Sequence, residues 1–205
     1  MRTLSVGALQ LLLEAGAPVE QELPGDDSTT PLAAAVARNS PECVKLLIEH
    51  GARVASSGSY KGFMPILSFV RSRGMLHLLR SHNAPLEGRV DMMSLAGQPP
   101  HGWTAMHVFA YRNRAHIIHE MIGMGGDVDA SSGQPQTKTS PLELAVAAGA
   151  YESVMILLQA GADMGRGEKP LLLRASEALQ RAKTPEEQNR CNQVLQALQD
   201  RILIV

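Results

Sequence analysis

The sequence predicts an all-α fold, an α-solenoid in which short helix–loop–helix units stack on one another. Three observations carry that prediction. First, one pattern recurs: "TTPLAAAVARNSPECVKLLIEHGARV" from Thr29, "WTAMHVFAYRNRAHIIHEMIGMGGDV" from Trp103 and "TSPLELAVAAGAYESVMILLQAGADM" from Thr139. In each, a Thr or Ser opens a short helix and a Gly follows 21 residues later, at Gly51, Gly125 and Gly161. Second, the punctuation is helical: hydroxyl residues before Pro at helix starts and Gly at helix ends. Third, apolar residues make up 44 % of the chain but aromatics only 3 %, so the core is built from Ala, Leu, Val and Met. Such a palette suits close helix–helix contact, and no helix this short buries its apolar face without a neighbour.

The elements follow in order. Residues 4–20, ending "LLLEAGAPV", read as the second half of a unit. The chain therefore starts without a first helix, and either residues 1–6 act as a makeshift cap or the chain is a piece of a longer array. The first complete unit, near 26–55, has Thr30-Pro31 at one helix start and Ser40-Pro41-Glu42 at the next, with Asn39 as the break. The unit near 60–87 is a weaker copy, "FMPILSFVRSRGMLHLLRSHNAPL", with Arg73 as its break and Asn83 in the Gly place. It is two residues shorter between its helices. The units near 100–130 and 136–165 break at Asn113 and Gly149, and Ser140 with Glu143 forms a capping box.

Anchor spacings of 34, 40 and 36 residues leave extra chain at 86–100 and 129–139, rich in Gly, Pro, Ser and Gln, which reads as two finger loops. Residues 168–205 read as a helical pair closing the array. Thr184 and Glu187 make a second capping box there, and Val194, Leu195, Leu198, Ile202 and Leu203 form an apolar stripe. The array proper is then 1–167.

Net charge is −1, which removes the electrostatic argument for binding nucleic acid or an anionic membrane. No apolar run approaches the ~20 residues of a membrane helix. Gln10 and Glu14 interrupt the N-terminal stretch that mimics a signal peptide. Cys43 and Cys191 stand far apart without a CxxC pattern, as in an intracellular protein with buried or idle thiols.

These residues resemble the ankyrin repeat, whose pattern is T-P-L-H-x-A, a turn, a V-x-x-L-L stripe and then G-A-D. Thr104-Ala105-Met106-His107 and Gly161-Ala162-Asp163 carry the match, and the resemblance covers roughly residues 1–165. It implies a protein-binding module, without a cofactor, whose contact positions sit before each Thr anchor, after the first helix and before the closing Gly. Reading those offsets in the two central units gives Tyr60, Lys61, Phe63, Arg71, His82, His101, Trp103, Tyr111, Arg112 and Met124 as partner-binding residues. Four of the seven aromatics fall on that set, beside basic side chains, which is the chemistry of interface hot spots. The resemblance also makes His107 a structural hydrogen-bonding residue.

Catalytic readings are weaker. His116 and His119 are three apart on a helix, yet a zinc site wants three or four converging ligands and no Cys is near. "GMGG" at 123–126 lacks the strand before and the Lys-Ser/Thr after that a phosphate loop needs. No GxSxG context places a nucleophile. The expectation is a non-enzymatic, cytoplasmic module such as an adaptor or an inhibitor or immunity-type protein. The alternative is a small-molecule binder or unorthodox enzyme with a pocket around Phe63, Trp103 and Tyr111.

Overall fold

A computed structural model describes residues 5–20, 30–54, 58–59, 62–63, 65–89, 102–132, 138–165 and 170–203. The chain divides into two compact units, Met1–Pro100 and His101–Val205. Both are built from helical hairpins.

In the first unit, α1 (Val6–Glu14) packs on α3 (Pro41–Glu49), and α3 forms a hairpin with α2 (Pro31–Ala37). The sequence of α2, "PLAAAVA", is apolar all round, as a helix covered on several sides must be. Leu32 through Val36 are all buried. Thr30 caps it as expected, its Oγ1 accepting the Ala33 N–H at 3.2 Å. Ser40 does not repeat the trick: it precedes α3 but makes no side-chain cap bond. The third element departs further from expectation. Instead of a first α-helix there is a 3-10 turn, Ile66–Phe69, which packs on α2. Arg73 does not break that helix; it opens α4 (Arg73–Ser81), capped by Ser72, whose Oγ accepts the Met75 N–H. The two residues missing from this copy are the physical reason, because Val70 returns to extended backbone at once. A hairpin of two-residue strands, β1 (Gly58–Ser59) and β2 (Gly62–Phe63), precedes the turn.

The second unit is three hairpins: α5 (Ala105–Tyr111) with α6 (Ala115–Gly123), α7 (Pro141–Ala147) with α8 (Tyr151–Gln159), and α9 (Leu171–Arg181) with α10 (Pro185–Leu203). First helices stack on first helices (α5, α7, α9) and second on second (α6, α8, α10). This is the layering of an α-solenoid. Both capping boxes form: Glu143 N–H to Ser140 Oγ at 3.2 Å with Ser140 N–H to Glu143 Oε2 at 2.8 Å, and Thr184 with Glu187 at 3.2 Å each way. In the last helix, Cys191, Val194 and Leu198 are the buried positions, while Ile202 of the expected stripe is exposed.

The second helices end alike. Gly16, Gly51, Asn83, Gly125 and Gly161 all have positive φ, and the following residue donates its N–H to the same carbonyl position each time. Those carbonyls belong to Leu12, Leu47, Leu79, Met121 and Leu157, which fixes the structural equivalence of the five helices.

Side chains tie successive repeats together at two levels. At the turn between helices, Ser72 Oγ donates to Asn39 Oδ1 at 2.6 Å in the first unit. In the second, Ser153 donates to Asn113 Oδ1 through both N–H and Oγ at 3.1 Å, and Asn113 Nδ2 donates to Glu152 Oε2. That amide bond, with a lesser contribution from Arg190, holds the Glu152 carboxyl below its ordinary range. At the repeat ends, Arg53 N–H donates to Glu20 Oε1 (2.7 Å), and Asp163 N–H to Asp129 Oδ1 (2.9 Å). Of the expected finger loops, 90–100 and 133–137 lie outside the described residues. The base of the second is closed by Ser132 N–H to Thr139 O (3.1 Å) and Thr139 N–H to Ser132 Oγ (2.8 Å).

Candidate partner-binding surface

The surface at Trp103 is built outward from a buried histidine. His107 sits in the first turn of α5 with no exposure. Its Nδ1 accepts the backbone N–H of Thr104 at 3.1 Å and lies 2.9 Å from Thr104 Oγ1. Its Nε2 lies 2.8 Å from the carbonyl of Thr139. A carbonyl has only lone pairs to offer, so this network assigns the proton to Nε2 and makes the ring neutral. Both nitrogens are thereby committed to structure, as the sequence motif implies.

On that fixed ring rests Trp103, its indole stacked at 6.2 Å and 20°. Tyr111 is four residues beyond His107, one helical turn along the same face. Its ring lies 6.0 Å from Trp103 at a 56° tilt, and it is 54 % exposed. Arg112, the α5 C-cap, is also exposed. Met124, the α6 C-cap, is half-buried. Trp103 itself is half-buried, so one face is anchored and the rest is presented. Rigid rings with few rotatable bonds lose little entropy on contact, and Arg adds a planar, multivalent donor.

In the first unit, Arg71 and His82 are exposed at the two ends of α4. Tyr60, Lys61 and His101 lie outside the described residues, as does the Phe63 side chain. The structure thus brings together Trp103 and Tyr111, with Arg112 next in the chain. The alternative pocket depends on Phe63 and is not described.

Two features escaped sequence reasoning. One is a cleft of about 330 Å³ between α8 and α10, lined by Tyr151, Met155, Ala197, Gln193 and Arg201 among others. No sequence signal marks it, because it lies between two helices far apart in the chain. The other is an exposed apolar face on α1, at Leu11 and Leu12. His116 and His119 are exposed, and among the described residues no three His, Cys, Asp or Glu side chains converge. Burial raises the Cys191 thiol above its usual value, away from the reactive range. No described helix is long and apolar enough to cross a membrane.

The family model for ankyrin repeats in three copies matches residues 70–167, and that for a single ankyrin repeat matches residues 27–58. No curated protein matches the chain. Together the two matches take in every α-helix from α2 to α8, with the 3-10 turn in the gap between them, and the chain belongs to the ankyrin repeat family.

Proposed function

We propose that this chain binds a partner protein through the Trp103–Tyr111–Arg112 surface, in the manner of an adaptor or of an inhibitor that covers its target. Ankyrin repeats are in general protein–protein interaction modules without catalysis. The observation that carries the reading is a Tyr111 ring 54 % exposed beside a Trp103 indole that a buried, neutral His107 holds in place. A ring so exposed, next to a half-buried indole, gains by burial against a partner. The reading also counts Tyr60, Lys61, Phe63, Arg71, His82, His101 and Met124 as partner contacts, whose basic members favour an acidic or carbonyl-rich partner patch. It takes residues 1–167 as the array and 168–205 as its cap, and places the protein in the cytoplasm.

The test is affinity capture from the native cell with mass spectrometry, comparing wild type with Trp103→Ala/Tyr111→Ala. Truncating two hot-spot rings at about 2 kcal/mol each predicts loss of the captured partner, roughly a thousandfold in affinity, with the melting temperature within a few degrees of wild type. Retention of the same proteins by the double variant overturns the proposal.

A further inference from the structure

Over the length of α8, α10 runs parallel to it and in register. A Cβ on Gly149, just before α8, would meet Cys191 Sγ, while near the end of α8 the Leu158 carbonyl accepts from Arg201 Nη2 at 3.3 Å. The cleft of about 330 Å³ between the two helices therefore has two distinct ends. One carries the Tyr151 phenol and the Gln193 amide; the other carries Asp200 and Arg201. Between them lie Met155 and Ala197, both half-buried, and Leu158, which is buried. The α10 members, from Gln193 to Arg201, fall at i, i+3, i+4, i+7 and i+8, one face of that helix.

We propose that this cleft binds a free aromatic α-amino acid. Asp200 and Arg201 are adjacent, exposed and opposite in sign, so their end of the cleft matches a head group that carries both charges. A peptide interior lacks such a head group, and a simple carboxylate or amine meets only half of it. Neither residue is used up. Gln196 Nε2 donates to Asp200 Oδ1 at 2.7 Å, which leaves Oδ2 for an ammonium. The Leu158 carbonyl takes one of five guanidinium N–H groups, which leaves others for a carboxylate.

The rest of the cleft suits a ring. Met155 offers it a polarizable thioether, and Ala197 leaves room for its width. Gln193 and Asp200 are seven residues apart, about 10 Å along the helix, which is the reach of tryptophan or tyrosine from head group to ring edge. The polar edge of such a ring, an indole N–H or a phenol, then meets Tyr151 and Gln193. A volume of about 330 Å³ is at the small end of ligand sites and holds one amino acid. The cleft shares no residue with the Trp103–Tyr111–Arg112 surface, so the two bind independently.

Chemical-shift titration of the isotope-labelled full chain with L-tryptophan, tryptamine and indole-3-propionate tests this. L-Tryptophan is expected to bind with a dissociation constant on the order of 1 mM, ordinary for so small a ligand, with shifts centred on α8 and α10. Tryptamine lacks the carboxylate and indole-3-propionate the ammonium, so each binds about tenfold more weakly. Arg201→Gln weakens L-tryptophan about tenfold and leaves tryptamine unchanged; Asp200→Asn weakens it by about as much and leaves indole-3-propionate unchanged. The spectra show whether each variant is folded; if Arg201→Gln is not, because it also loses the Leu158 contact, Asp200→Asn decides. No shifts up to about 10 mM L-tryptophan, equal binding of the three compounds, shifts centred outside α8 and α10, or L-tryptophan binding that Asp200→Asn does not weaken each overturns the proposal.

Discussion

In three of the repeats the first helix ends at a left-handed residue: Asn39, Asn113 and Gly149, with φ of 55°, 53° and 61°. Asn tolerates that backbone region and uses its amide to reach the next repeat. Gly149 has no amide to offer and serves differently. A Cβ there would sit 2.8 Å from Cys191 Sγ, so glycine lets α10 approach the end of α7. Gly149→Ala therefore costs about 1–2 kcal/mol for backbone strain and more for the sulfur overlap. Urea unfolding of Gly149→Ala in wild-type and Cys191→Ala backgrounds separates the two, and a smaller loss in the second background is the expected outcome. The breaks at these three positions were legible in sequence because left-handed backbone restricts residue choice. The sulfur contact was not, since 42 residues separate its partners.

Among elements, the 3-10 turn Ile66–Phe69 shows where periodic reading stops. Phe63 through Asn83 carry the apolar residues of a repeat but lack two positions, and the chain resolves the deficit by tightening the first helix. Ile66 and Leu67 still reach the core, so burial, not helix type, is what the stack demands. The tightening leaves a defect: Ser68 Oγ is buried with no hydrogen-bond partner among the described residues. An unsatisfied buried hydroxyl costs about 1–3 kcal/mol. Ser68→Ala is expected to raise stability by about 1 kcal/mol, read as a higher urea midpoint at unchanged slope. A lower midpoint would show the hydroxyl to be satisfied. Ser40 teaches the same lesson in reverse, for its Ser-Pro-Glu pattern was correct about the helix start and wrong about the cap bond.

At the scale of the molecule, the C-terminal pair is joined to the repeats by more than apolar packing. Arg174 of α9 places Nη2 2.8 Å from Glu143 Oε1, the same carboxylate that caps α7 through its other oxygen. Glu143 is 3 % exposed, and that guanidinium is the opposite charge beside it. Arg174→Met strands a buried carboxylate and is expected to destabilise the second unit by about 2–4 kcal/mol, measured by chemical unfolding. Adding Glu143→Gln keeps an oxygen for the Ser140 N–H and removes the stranded charge, so the double variant recovers most of the loss. If it recovers nothing, the ion contact is incidental to the joint.

The sequence alone determined the repeat, most of its helix starts and stops and the capping boxes, because each rests on contacts within about four residues or on a period repeated along the chain; the structural part of His107 came from the resemblance, and its contact with the Thr139 carbonyl spans 32 residues. It also placed Trp103, Tyr111 and Arg112 on an exposed surface, by resemblance rather than by derivation. Only the tertiary structure decided that Trp103 stacks on His107 and tilts against Tyr111, that Gly149 admits Cys191, that Arg174 answers Glu143, and that Leu11 and Leu12 stay bare. Those depend on which faces of distant helices meet. Pattern names a helix and its apolar side, but burial of that side is a property of the neighbour.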